Sequence, residues 1–313
     1  MNKKALATLL VVAVLVVASA AAALIFLNKD ASDGGTTGTI SFVDDRGKTV
    51  NLSSAPQRII SLGSAFTEII FDLDAQDRVV AVDKSSMWLV ENNTGTENIT
   101  NLQSVSSLSV ESIMNQNPDL VVIWNFNMYS TFISNMENAG ITVATFYPKN
   151  VSSILDTIKV LGKAIGEESK ALEMVSDMQD RIDAVLEKTS DLTESERPKV
   201  YLELATGGGK TVGNGTMSND LIEMAGGLNI FNNGTGNWLA SSESIVEKNP
   251  DIIIIEDSSS KTNDGLKTAL GSTVTAVSGD KIYRIDGTTL TTSPSVVDAL
   301  ENMAKWFHPE LFP

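Results

Sequence analysis

Two stretches decide the fold: Ser109–Ile123, SVESIMNQNPDLVVI, and Ser241–Ile255, SSESIVEKNPDIIII. Aligned without a gap at an offset of 132, they share eight of fifteen residues. The shared positions are Ser109/Ser241, Glu111/Glu243, Ser112/Ser244, Ile113/Ile245, Asn117/Asn249, Pro118/Pro250, Asp119/Asp251 and Ile123/Ile255. Each copy encodes the same unit. A serine caps a helix, a glutamate sits in its first turn, Asn-Pro-Asp ends it, and a buried strand follows. A repeat at this offset implies two related halves.

Working outward, both halves alternate strands and helices. In the first, Arg58–Ser61 runs into a helical pattern at Ala65–Leu73. Val79–Val82, Leu120–Ile123 and Ile141–Phe146 are strands, with helices near Val110–Asn115, Tyr129–Ala139 and Ile154–Ala164. The second half runs through Val200–Leu204, Met217–Ala225, Ile252–Ile255, Ile282–Ile285 and Val296–Phe307. Such alternation predicts mainly parallel sheets covered by helices. Between the halves, Glu167 to Lys188 carries Leu172, Val175, Met178, Ile182, Val185 and Leu186 at steps of three or four, one buried stripe of a long helix. The fold class is therefore α/β, two parallel-sheet lobes bridged by one long helix. The expected boundaries are 39–165 for the first lobe, 166–192 for the bridge and 193–313 for the second lobe.

The chain has 313 residues, with 23 Lys+Arg against 39 Asp+Glu, a net charge of −16. An acidic surface argues against nucleic-acid binding. The absence of cysteine removes disulfides, thiolate metal sites, Fe–S clusters, Cys nucleophiles and the lipid-bearing residue of a lipoprotein. A single histidine, His308, rules out a multi-histidine metal site and weighs against a His-based triad. At the amino terminus, Lys3 and Lys4 precede an uncharged run from Ala5 to Leu27. As a helix that run spans about 34 Å, enough to cross a bilayer core. An uncleaved anchor over residues 1–28 is the preferred reading, with a cleaved signal peptide the alternative suggested by Ala18-Ser19-Ala20. Either way, the body is expected outside the cytoplasm. The polar, glycine-rich segment 29–38 reads as a flexible linker. Six Asn-X-Ser/Thr sequons permit glycosylation but arise readily in a chain rich in Ser and Thr.

From about Thr39 to its end, the chain resembles the substrate-binding proteins of iron-siderophore, haem and vitamin B12 ABC transporters. The resemblance rests on the order of several pieces: Ile40–Val50 (ISFVDDRGKTV), Pro56–Leu62 (PQRIISL), Thr67-Glu68-Ile69, Asn117–Val121 (NPDLV), Ala225-Gly226-Gly227 and His308–Phe312 (HPELF). It implies two lobes bridged by a rigid helix, with the ligand in the cleft between them. It also implies that Glu111 and Glu243, one on each lobe, meet arginines of a permease dimer. Taken alone, an acid in a first helical turn is explained by the helix dipole, worth about 0.3–1 kcal/mol. Two exposed carboxylates related by pseudo-symmetry also suit a two-fold basic partner.

Open α/β sheets hold ligands beyond the carboxyl ends of their strands. The loops there are Ser61–Ser64, Asp83–Trp88, Trp124–Tyr129 and Tyr147 in the first lobe. In the second they are Thr206–Thr211, Glu256–Ser258 and Thr291–Ser293, with Trp238 just before the repeated helix. The candidate ligand residues are Ser64, Trp88, Trp124, Tyr129, Tyr147, Lys210, Trp238 and Thr292. The resemblance implies aromatic cover over a flat macrocycle near Trp124 and Trp238; plain packing at the lobe edges is the alternative for both. Trp306, in the last helix, reads as core.

Ser293-Pro294-Ser295 carries serine where siderophore-binding relatives commonly have arginine, and Lys210 is the obvious base among these loops, with Lys84 and Lys149 the alternative bases able to reach the cleft. A highly anionic chelate is therefore disfavoured relative to a neutral or corrinoid one. Gly207–Thr211 (GGGKT) is not a phosphate loop, since Leu204 stands where its first glycine is required. The expected function is capture of a metal chelate, of corrinoid or iron-siderophore type, and delivery to an ABC permease. A surface sensor of the same fold without a transport partner is the alternative. The expected protein is a monomer with no cofactor or metal of its own and no enzymatic chemistry.

Overall fold

An antiparallel hairpin, β1 (Ile40–Val43) and β2 (Thr49–Leu52), comes first among the described residues and is not among the elements that periodicity predicts. Its turn is held by Asp44, whose carboxylate accepts from the N–H of Arg46 and Lys48 and pairs with the Arg46 guanidinium at 2.7 Å. The computed structural model describes residues 39–205 and 210–313. The expected anchor, the linker and Gly207–Gly209 of the glycine loop lie outside the described residues.

The first lobe contains β3 (Ile59–Leu62), α1 (Ser64–Asp72), β4 (Val79–Val82), α2 (Met87–Asn92), β5 (Thr100–Asn101), α3 (Val110–Met114), β6 (Leu120–Trp124), α4 (Ser130–Asn138) and β7 (Val143–Phe146). Its sheet is fully parallel in the order β5-β4-β3-β6-β7. β7 starts two residues later than the apolar run suggests. Gly140 turns at φ +85°, and the Ile141 N–H closes α4 onto the Met136 carbonyl at 3.0 Å. Helix α5 (Val151–Ile165) leads through Gly166, at φ +79°, into the long helix α6 (Glu168–Thr189). Of the predicted stripe, Val175, Met178, Ile182 and Val185 are buried, while Leu172 is exposed.

The second lobe contains β8 (Lys199–Leu204), β9 (Lys210–Val212), α7 (Met217–Met224), β10 (Leu228–Asn229), β11 (Asn237–Leu239), α8 (Ser242–Lys248), β12 (Ile252–Glu256), α9 (Asn263–Leu270), α10 (Thr275–Ser278), β13 (Ile282–Ile285) and α11 (Val296–Phe307). Strands β8, β12 and β13 are parallel, whereas β9 and β11 add an antiparallel edge, in the order β11-β9-β8-β12-β13. Lys210 and Thr211, expected in a loop, belong to β9, because Lys210 pairs with Leu204 and Thr211 with Glu203.

Both sheets bury alternate residues on opposite faces. Ile59, Leu120 and Val122 of the first lobe and Val200, Leu202, Ile252 and Ile254 of the second join α5, α6 and α11 in one shared core. Ile60, Leu62, Val121 and Ile123 pack outward under α3 and α4. Tyr201, Ile253 and Ile255 do the same under α8 and α9.

Candidate ligand cleft and docking helices

In the first lobe the strand order reverses between β3 and β6, which places a crevice at their carboxyl ends. Gly63 follows β3 at φ +149°, and Trp124 ends β6 directly over it. A Cβ on Gly63 would stand 2.3 Å from the indole Nε1, so that position must be glycine. Phe126 stacks on Trp124 with centroids 5.3 Å apart and planes inclined by 2°. Tyr147 meets Phe126 edge-on at 5.2 Å, Tyr129 lies 5.9 Å from it, and Phe66 supports Trp124 from below at 4.5 Å. Three predicted residues, Trp124, Tyr129 and Tyr147, thus form one aromatic wall whose hub, Phe126, sequence reasoning did not single out. Lys149 places its Nζ 5.1 Å from the Tyr147 ring.

Beside this wall, the Thr67 hydroxyl bonds Ser61 at 2.8 Å and Ser86 at 3.0 Å, and Ser86 donates to Asp83 at 2.7 Å. This buried chain ties the loop after β4 to the end of β3. It positions Ser64, the half-buried first residue of α1, and Trp88 on α2. The Trp88 ring is 38% exposed and stands apart from the Trp124 cluster.

The corresponding reversal in the second lobe lies between β8 and β12. The repeat offset sets Glu256 where the first lobe has Trp124. Its carboxylate accepts from the Ala205 N–H at 2.8 Å and the Ser258 hydroxyl at 2.9 Å. A Cβ on Gly287 would come within 2.2 Å of that carboxylate. Lys210 is half-buried on β9. Two other bases of this lobe are already engaged. Lys261 pairs with Glu203 at 2.8 Å, and Arg284 donates to the Lys261 carbonyl and to Asn263.

Thr292 is half-buried in a run of hydroxyls, Thr291–Ser293 at 3.2 Å and Ser293–Ser295 at 2.9 Å. The Ser295 N–H, at the start of α11, donates to Glu68 of α1 at 3.1 Å, joining the two lobes. Burial raises the Glu68 carboxyl above its ordinary range, against the lowering effect of its bonds to Ser295 and Ser293. Trp238 lies elsewhere. Its ring is pressed onto Gly213 and Gly234, where a Cβ would approach within 2.4 and 2.2 Å, and meets Phe231 edge-on at 6.0 Å. It is half-buried against the outer core of the second lobe and is not joined to the Trp124 cluster.

The repeated helices α3 and α8 carry matching caps. Ser109 and Ser241 each accept from the N–H three residues on at 3.2 Å. Ser112 and Ser244 bond back to the cap carbonyls at 2.7 and 2.8 Å. Glu111 and Glu243 are exposed. Hydrogen bonds from their own backbone N–H, then from the capping serines, hold both carboxyls below the usual range, so both are anionic at neutral pH. The Asn-Pro-Asp ends are structural. Asn117 and Asn249 take the left-handed conformation at φ 46° and 45°. Asp119 then accepts from the N–H of Gln57 and Arg58, and Asp251 from that of Lys199, pinning the entry of β3 and β8.

Residues 59–289 match the family model described as periplasmic binding protein. The chain belongs to that family. An ABC transporter substrate-binding lipoprotein of Bacillus subtilis, YvrC, is 27% identical, the match covering 87% of both chains. A cobalamin-binding protein of Halobacterium salinarum is also 27% identical, over 98% of this chain and 86% of its own. The apo structure of the periplasmic haem-binding protein RhuT from Roseiflexus superposes with a TM-score of 0.70 at 25% identity, covering 82% of this chain and 99% of RhuT.

Two motifs of this periplasmic binding protein turn out to be each other's packing partners. Gly226, at φ +81°, lets His308 approach so closely that a Cβ would lie 2.7 Å from its Nε2, and Gly227 does the same for Phe307 at 2.6 Å. His308 is buried with Nε2 3.2 Å from the Gly226 carbonyl. Among the described residues, no group of three His, Cys, Asp or Glu side chains is placed to hold a metal ion, and no helix is long and apolar enough to cross a membrane. Sequence reasoning set Glu256 and Phe126 in cleft loops without making either a candidate; the repeat offset, extended one residue past Ile123/Ile255, pairs Glu256 with Trp124.

Proposed function

We propose that this periplasmic binding protein captures a corrinoid-type metal chelate against the Trp124 wall and delivers it to an ABC permease. The observation that carries the reading is the stacked Trp124–Phe126 pair flanked by Tyr129 and Tyr147 at the carboxyl ends of the sheet. Stacked aromatic faces give a flat macrocycle large, rigid contact at little entropic cost. Opposite chemistry on the second lobe supports the same choice. Glu256 offers a carboxylate, and of the bases Lys210, Lys261 and Arg284 the last two are already engaged, which leaves Lys210; one base against one carboxylate suits amide and hydroxyl donors better than a highly anionic chelate. Ser64, Trp88, Lys210 and Thr292 are proposed as rim contacts, and Trp238 as a contact through its exposed edge. The cobalamin-binding relative that aligns over nearly the whole chain points the same way.

The exposed, ionised Glu111 and Glu243 are proposed to engage basic residues of a two-fold symmetric permease, with the body on the extracytoplasmic face and residues 1–28 as its membrane anchor. The protein acts as a monomer and needs no cofactor. Tryptophan-fluorescence titration of residues 39–313 against corrinoids, haem and ferric siderophores, confirmed by calorimetry, tests the ligand. Saturable one-to-one binding of a corrinoid is expected; binding of a ferric siderophore alone would overturn the macrocycle assignment. Reversing both charges, Glu111→Lys with Glu243→Lys, should abolish transport coupling and leave ligand affinity unchanged.

A further inference from the structure

The docking helices repeat more than their glutamates. Met114 follows Glu111 by three residues and Val246 follows Glu243 by three, so the offset of 132 relates this pair as well. Both are open to solvent, Met114 at 51% and Val246 at 36%, while Ile113 and Ile245 of the same helices are buried. Residues three apart on a helix are surface neighbours. Each lobe therefore presents one ionised carboxylate with one apolar side chain a turn further on. Isolated exposed apolar side chains are ordinary. A pair at repeat-related positions, each beside a carboxylate, serves neither lobe's own core.

We infer that Met114 and Val246 are the apolar anchors of the permease interface. Each seats in an apolar depression beside the basic group that Glu111 or Glu243 meets, once on each subunit of the two-fold partner. The inference rests on the permease reading above. An ion pair at a wet rim is screened by salt and holds weakly, so it serves orientation and encounter. Residence requires side chains that lose water on contact. The glutamates thus govern association, and Met114 and Val246 govern dissociation.

The test measures binding of the full chain to the native ABC permease complex of its own cell, held in nanodiscs, with rates taken across a salt series. Met114→Ser with Val246→Ser should dissociate about tenfold faster, with the association rate and its salt dependence unchanged. Glu111→Gln with Glu243→Gln should instead associate more slowly and lose most of the salt dependence. Ligand titration and circular dichroism establish that each variant is folded, and Met114→Leu with Val246→Leu should restore slow dissociation. If the serine variant dissociates like the parent while the glutamine variant is impaired, the anchor inference fails and the docking reading stands. If the glutamine variant is also unimpaired, or the parent does not bind, the docking reading fails with it.

Discussion

Where the repeat reaches the cleft, the two lobes part company: Trp124 ends β6 over Gly63, and Glu256 at the same offset ends β12 with its carboxylate on Ala205. On the outer helices the same offset relates near-identical caps and the exposed pair Glu111 and Glu243. A two-fold partner asks the same of both lobes, whereas a ligand without that symmetry asks something different of each wall. The layer beneath α3 and α8 diverges too. Strand registers set Tyr201 and Glu203 where the first lobe has Ile60 and Leu62. The first lobe fills this face with hydrocarbon. The second buries a carboxylate bonded to the Tyr201 hydroxyl at 2.9 Å and to Lys261.

That last contrast predicts the largest effect. Lys261→Met leaves Glu203 buried without its counter-charge and should cost on the order of 3–5 kcal/mol in urea unfolding. Importing the first lobe's residues together, Tyr201→Ile with Glu203→Leu, should by contrast stay near neutral. A silent Lys261→Met would break the distinction between the two outer layers. The cleft contrast is next. Trp124→Ala should weaken corrinoid binding by about 2 kcal/mol, roughly thirtyfold, and Glu256→Gln, which keeps an acceptor for Ala205, far less. Equal losses from the two would mean that both walls grip the ligand alike.

The contact between the lobes is tested by pH. The folded protein holds the Glu68 proton more tightly than the unfolded chain does. Its contribution to stability is therefore complete below the unfolded value, about 4.3, and is lost as pH rises through the folded one. Glu68→Gln, which retains an acceptor for the Ser295 N–H, should flatten that fall and exceed the parent in stability at neutral pH. Thermal unfolding midpoints of parent and variant from pH 4 to 8 check this, and parallel profiles would refute it. The smallest effect tests the symmetry itself. Ser109→Ala and Ser241→Ala should each cost about 1 kcal/mol, and by like amounts, since the two caps have the same geometry.

Periodicity and the repeat predict the main strands and helices of both lobes, because burial on one face writes itself into spacing along the chain. The same repeat singles out Glu111 and Glu243, whose exposure and caps are local matters of one helical turn. Short edge strands carry no such signal, and so the opening hairpin, β9 and β11 were legible only once folded. Of the cleft candidates, Trp124, Tyr129 and Tyr147 meet because parallel strands β6 and β7 end side by side. Phe126 is their hub for the same reason. Trp238, the second aromatic that the resemblance implies, packs on Gly213 and Gly234, whose missing side chains make room for the ring.

The sequence by itself thus determined the elements, the two-lobed architecture and the repeat-related pair Glu111 and Glu243, since each depends on neighbours within a few residues or on a repeat visible at fixed offset. Only the tertiary structure decided which aromatics form one wall, that Ala205 and Ser258 hold the Glu256 carboxylate, and that Glu68 ties α1 to α11. Those facts depend on which strand ends and helix termini become neighbours in space, and residues 227 positions apart, such as Glu68 and Ser295, leave no local trace of their contact.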